Sequence, residues 1–180
     1  MSNGAKLTFS EFEAKLVNNS EWILTKHAII QKVSDLLWTQ VPAINECFIA
    51  GLPEQLQELT ACRPKISRGE RYRDLPWVIL DYPAVFSKTN IFALRTMFLW
   101  GNFVSVTLHL SGSYKNLLHQ QLAHNLNSAD RSFFISTGAS EWEHHFEADN
   151  YTALQSLPAE DGYKKLVQPS FIKIALKYDL

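Results

Sequence analysis

Pro76-Trp-Val-Ile-Leu-Asp-Tyr-Pro83, Ile91-Phe-Ala-Leu-Arg-Thr-Met-Phe-Leu-Trp100, Gly101-Asn102 and Phe103-Val-Ser-Val-Thr-Leu-His-Leu110 decide how this chain folds. The three longer runs are apolar and strand-like, and each holds one charged or titratable residue: Asp81, Arg95 and His109. Burying such groups is costly unless they are paired, so each needs a partner. Gly101-Asn102 between two alternating runs fits a two-residue hairpin loop with glycine first. That register pairs Trp100 with Phe103 and sorts the side chains onto two faces. Ala93, Arg95, Met97 and Leu99 then join Val104, Val106, Leu108 and Leu110 in the core. Leu94, Thr96, Phe98 and Trp100 join Phe103, Ser105, Thr107 and His109 on the other face. Arg95 and His109 are thereby expected on opposite faces, and a slip of one residue would exchange the assignments.

Asp81 is the expected partner of Arg95, because consecutive strands usually neighbour each other and a bidentate pair satisfies both groups. The connection between them, 83–90, is rich in turn formers. His109 belongs to the aromatic and hydroxyl face, beside the turn Ser111-Gly112-Ser113. This turn opens a helix whose Tyr114, Leu118, Leu122 and Leu126 recur every four residues. Ser111 or Ser113 is suited to cap it, and its first backbone N–H groups could hold an anion. The glycine pattern of a phosphate loop or dinucleotide site is absent.

Upstream, the chain reads as helical. Thr8 with Glu11 has the spacing of a capping box, and Leu7 with Phe12 that of a hydrophobic staple. Ser20 is positioned to cap a second helix to about residue 40, with Trp22, Ile29, Val33, Leu36 and Leu37 on its buried face. Leu52, Leu56 and Leu59 mark a short third helix, with Pro53 in its first turn. Residues 63–74 read as a polar connector. Lys65, Arg68, Arg71 and Arg73, with Tyr72 among them, make it the best anion-binding candidate on the chain, diluted by Glu70 and Asp74.

Downstream, residues 133–135 form a short strand and 137–140 a turn. Residues 141–149 alternate as a strand would, with Glu141, Glu143, His145, Glu147 and Asp149 on one side. Those side chains include metal-ligand types, but cross-strand pairing with Lys173 and Lys177 of a C-terminal strand is the simpler account. Residues 157–162 read as a loop. His119 and His124, five apart, do not share a helical face.

The chain has 180 residues, with 17 basic and 18 acidic side chains. That balance gives no general electrostatic case for nucleic acid or an anionic membrane. The first residues lack the apolar core of a signal segment, and no run approaches a membrane span. Cys47 and Cys62 are too few for a disulfide framework, so a cytoplasmic location is expected.

The expected fold is α+β in a single domain, a helical part over 1–61 and a sheet part over 66–180. N-terminal helices pack on a largely antiparallel sheet of five to seven strands, with one helix inserted after the third strand. No metal or cofactor motif stands out. The expected function is binding of a small apolar or aromatic ligand by Phe98, Trp100, Phe103, Ser105, Thr107, His109, Ser111 and Ser113. Two alternatives are self-association or partner binding through that face, and an enzyme with His109 as general base.

Overall fold

A computed structural model describes residues 8–128, 132–157 and 170–180. The fold is α+β, as expected. Among the described residues, four α-helices accompany seven strands in one antiparallel sheet of order β1-β2-β3-β4-β7-β5-β6. The strands are β1 (Lys65–Tyr72), β2 (Leu75–Phe86), β3 (Ile91–Leu99), β4 (Phe103–Ser111), β5 (Phe134–Ser136), β6 (Tyr151–Ala153) and β7 (Phe171–Asp179). The helices are α1 (Glu11–Val17), α2 (Ser20–Thr39), α3 (Val41–Ile44) and α4 (Gly112–Ser128), with a 3-10 segment at Glu54–Ala61.

The hairpin register differs from expectation, and the difference reorganises the sheet. Leu99, and not Trp100, pairs with Phe103, so the connection is Trp100-Gly101-Asn102. Asn102 N–H closes the turn onto the Leu99 carbonyl at 3.1 Å. Gly101 therefore stands at the third turn position with φ +67°, where a side chain would be strained. The odd-numbered connection exchanges the partners of every β3 side chain. Arg95 pairs with Thr107 and Ala93 with His109, so Arg95 and His109 share a face. Phe98 and Trp100 are separated from Phe103, Ser105, Thr107 and His109, contrary to the expected grouping.

One face of the sheet carries α2, α3, the 3-10 segment and α4. Leu37 of α2 packs with Val78, Leu80, Tyr82 and Phe98, while Leu56 and Leu59 pack with Phe92, Leu110, Ile172 and Ala123 of α4. Residues of this kind stabilise by about 1.5–3 kcal/mol each on full burial, so this face is the main core. α4 lies here too, and does not close over the His109 face. The buried stripe of α2 is Ile30, Val33, Ser34 and Leu37, whereas Trp22 and Leu36 are exposed. The caps also differ by one or two residues. Ser10 and Glu13 form the capping box of α1, and Asn19 caps α2 by accepting from Trp22 N–H.

The expected connector at 63–74 is mostly strand β1, so α4 follows the fourth strand. β1 is a polar edge strand, a composition that discourages pairing with other chains. Its Ile66 faces the helices, and Glu70 and Arg68 bond Lys26 and Gln31 of α2. Arg73 and Asp74 turn the chain into β2 with φ +53° and +59°, as a two-residue primed hairpin requires. Residues 141–149 form no strand. They belong to an irregular segment, 137–150, that crosses the second face of the sheet. The expected partner of Lys177 is likewise different, since Lys177 pairs with Asp179 at 2.7 Å. Leu7 of the expected staple and residues 158–162 of the expected loop lie outside the described residues.

Candidate functional site

The second face is built from the odd-numbered side chains of β3, β4 and β7, from Trp77, Ile79 and Asp81 of β2 and, past a bulge in β2, from Ala84 and Phe86. Across it, Asp81, Arg95, Thr107 and Ala175 form one row, and Ala93, His109 and Lys173 the next. Asp81 and Arg95 make the bidentate pair directly, with Arg95 Nε 2.7 Å from Oδ1 and Nη2 3.0 Å from Oδ2. Both side chains are largely buried. In this setting the pair fixes the relation of β2 to β3, and removing either partner would strand a charge.

The third contact of Arg95 reaches the covering segment. Arg95 Nη1 lies 3.1 Å from His144 Nε2. Arginine has only donors, so Nε2 accepts and the imidazole proton sits on Nδ1. Burial first, then the charges of Arg95 and Lys173, pushes the His144 pKa down to about 2, so the ring is neutral. His109 is also held neutral, with its pKa pushed down to about 3 by burial and by Lys173 and Arg95. Its Nε2 donates to the Glu141 carboxylate at 3.1 Å. Lys173 is buried and donates to the backbone carbonyl of Glu143. Burial, with Arg95 next, pushes its pKa down to about 8.

Tyr72 anchors the same segment from β1. Its hydroxyl accepts from His144 N–H at 2.7 Å and His145 N–H at 2.9 Å, and donates to Glu143 at 3.0 Å. Phe146 packs into an aromatic group with Phe103, Phe134 and Tyr151. The segment is thus held near its middle by hydrogen bonds at residues 143–145 and by rings at Phe146.

Between this segment and β1–β3 lies a pocket of about 670 Å³. Its floor is the Asp81–Arg95 pair with Ile79 and Met97, and its walls include Tyr72, Trp77, Phe86, Trp142 and His144. Lys65, Ser67 and Arg71 of β1 complete the lining. Trp77 lies flat against β1 because Gly69 has no side chain. A Cβ there would come within 2.6 Å of the indole. Arg95 stacks over the Phe86 ring at 5.6 Å. Among the described residues Lys65 and Arg71 have no ion-pair partner, so two uncompensated positive charges face an aromatic cavity.

The residues expected to form a site are therefore divided. Phe98 and Trp100 lie against α2 on the helical face. Phe103, Ser105, Thr107 and His109 lie on the pocket face but are covered. Ser111 ends β4, and Ser113 binds Asn90 through its N–H and hydroxyl at 2.8 and 3.0 Å. The lining residues Trp77, Trp142 and His144 drew no functional reading from the sequence. Lys65, Arg71 and Tyr72 carried one real signal, as members of the basic, aromatic-bearing stretch at 63–74. Compared with models of protein families, with curated proteins and with solved structures, the chain matches none.

Proposed function

We propose that the chain binds a small aromatic molecule bearing a carboxylate in the pocket above Asp81 and Arg95. The observation that carries this reading is the combination of aromatic walls with the cations Lys65 and Arg71, which have no ion-pair partner among the described residues. A cavity of this size that is mostly apolar, with a few convergent polar groups, suits a small ligand. The ring stacks between Trp77 and Trp142, and the carboxylate meets Lys65 and Arg71 in charge-assisted hydrogen bonds. The N–H groups of Arg95 not taken by Asp81 and His144 add donors at the floor. Cys47 and Cys62 are free thiols, in keeping with a cytoplasmic setting.

Calorimetric titration with a panel of aromatic carboxylates and their uncharged amides tests this reading. The carboxylates bind, and the amides bind at least about tenfold more weakly, as loss of one charged hydrogen bond entails. Lys65→Gln and Arg71→Gln weaken the carboxylates alone. Equal binding of acid and amide, or none of either, would refute the proposal.

A general-base role for His109 has less support, since the ring is covered and its Nε2 is committed to Glu141. A second reading, self-association, draws on another surface. Phe12, Val17, Trp22, Leu24, Leu36 and Trp38 of α1 and α2 are exposed large apolar side chains. Sedimentation over a range of concentrations reads it, and a monomer throughout would dismiss it.

A further inference from the structure

On the solvent side of the covering segment, the ring of His145 points at two carboxylates. Its Nδ1 lies 3.6 Å from Glu147 Oε2 and 3.7 Å from Asp149 Oδ1, and all three ligand atoms fall within 4.8 Å of one another. The His145 side chain is only 9% exposed, and its buried Nδ1 has no hydrogen-bond partner. Buried polar atoms are nearly always satisfied, so this one asks for a ligand. The separations suit one. Two metal bonds of about 2.1 Å at the tetrahedral angle span about 3.4 Å. A direct hydrogen bond would need the atoms closer.

The frame is already in place. Asn150 Nδ2 holds the His145 carbonyl at 2.6 Å, and Tyr72 holds its N–H. Glu143 faces the opposite ring nitrogen at 3.6 Å, and such outer carboxylates orient ligating imidazoles. Arg73 bonds both oxygens of Glu147, with Nη2 2.6 Å from Oε2. Each carboxylate oxygen keeps a second lone pair, so Oε2 can serve Arg73 and a cation together. The Glu147 and Asp149 side chains are themselves well exposed.

We propose that His145, Glu147 and Asp149 form a binding site for a divalent cation of the zinc or manganese type. One imidazole with two carboxylates is a donor set for such borderline ions. Three protein ligands beside the positive Arg73 imply moderate affinity. The site stands apart from the pocket proposed above, and neither requires the other.

Calorimetric titration of the full chain with zinc chloride, and separately with manganese chloride, tests the site. One zinc binds per chain. Asp149→Asn and His145→Gln each weaken it by at least about tenfold, the loss expected for a ligand. Asp149 is well exposed, so its variant keeps the fold even if the His145 variant does not. A variant with His27→Gln and His124→Gln, which removes two exposed imidazoles, leaves affinity within about twofold. Manganese broadens the His145 ring resonances before those of His124. No zinc binding, or binding lost in the His27 and His124 variant but kept in Asp149→Asn, would overturn the proposal.

Discussion

Arg95 Nη1 bonds His144 Nε2 at 3.1 Å, and this contact joins the charged floor of the pocket to the segment that covers it. Through it, Asp81, Arg95 and His144 form one chain of polar groups from β2 to the 137–150 segment. Burial and the Arg95 charge hold the His144 ring neutral within it.

Acid should therefore weaken the fold through His109 and His144. His109 and His144 have folded pKa values of about 3 and about 2, against an ordinary value of 6.5. Below 6.5 the unfolded chain holds more protons, so stability falls as pH falls. By about pH 5.5 each histidine costs about 1.4 kcal/mol relative to neutral pH. Urea unfolding across this range reads the loss, and His144→Gln should remove about half of it. A midpoint that does not move between about pH 7.5 and 5.5 would contradict the neutral assignment.

Breaking the buried pair should be expensive and replacing it cheap. Arg95→Met alone leaves the Asp81 carboxylate uncompensated and costs about 3–5 kcal/mol. Adding Asp81→Leu should recover much of that loss, since no charge then remains to be solvated. A double-mutant cycle in urea gives the coupling directly. Additive losses would mean that the pair does not act as a unit.

Tyr72→Phe removes the one oxygen that serves His144 N–H and His145 N–H. Leaving such donors unsatisfied costs about 1–3 kcal/mol. Amide exchange should speed up at residues 144 and 145 more than in β3 or β4. Unchanged protection there would show that water replaces the hydroxyl at no cost.

Gly69→Ala places a methyl group against the Trp77 indole. The side chain can yield, so the expected stability loss is small, about 1 kcal/mol. The ring moves into the pocket, and affinity for an aromatic carboxylate should fall more than stability does. A variant that keeps full affinity would mean that Trp77 is not a wall of the binding site.

The α+β class was legible because the apolar runs alternate with period two in the middle of the chain and recur at helical spacing before it. The pairing of Asp81 with Arg95 required only neighbouring strands. The face of His109 was not legible, because Gly101-Asn102 serves a two-residue or a three-residue connection equally well, and the two differ by one step of register. β1 was hidden for a related reason. Arg73-Asp74 is not the usual sequence for a turn with two positive φ angles, and its geometry here accompanies the tie of Arg73 to Glu147. The alternation over 141–149 suggested a strand, yet Tyr72, Lys173 and Asn150 bind its backbone groups in place of a neighbouring strand. The contacts of Tyr72 and Lys173 join residues 72 and 30 positions apart and leave no local pattern.

The five tryptophans give the most direct test of the pocket, because they are distributed between its walls and the rest of the molecule. Trp77 and Trp142 line it, Trp100 lies on the helical face, and Trp22 and Trp38 are exposed on α2. Proton–nitrogen correlation spectra recorded during titration with an aromatic carboxylate resolve each indole N–H. The Trp77 and Trp142 signals should move together along one saturable curve, with Trp22, Trp38 and Trp100 unmoved. Saturable shifts confined to Trp22 and Trp38, or no shift at any tryptophan, would contradict ligand binding above Asp81 and Arg95.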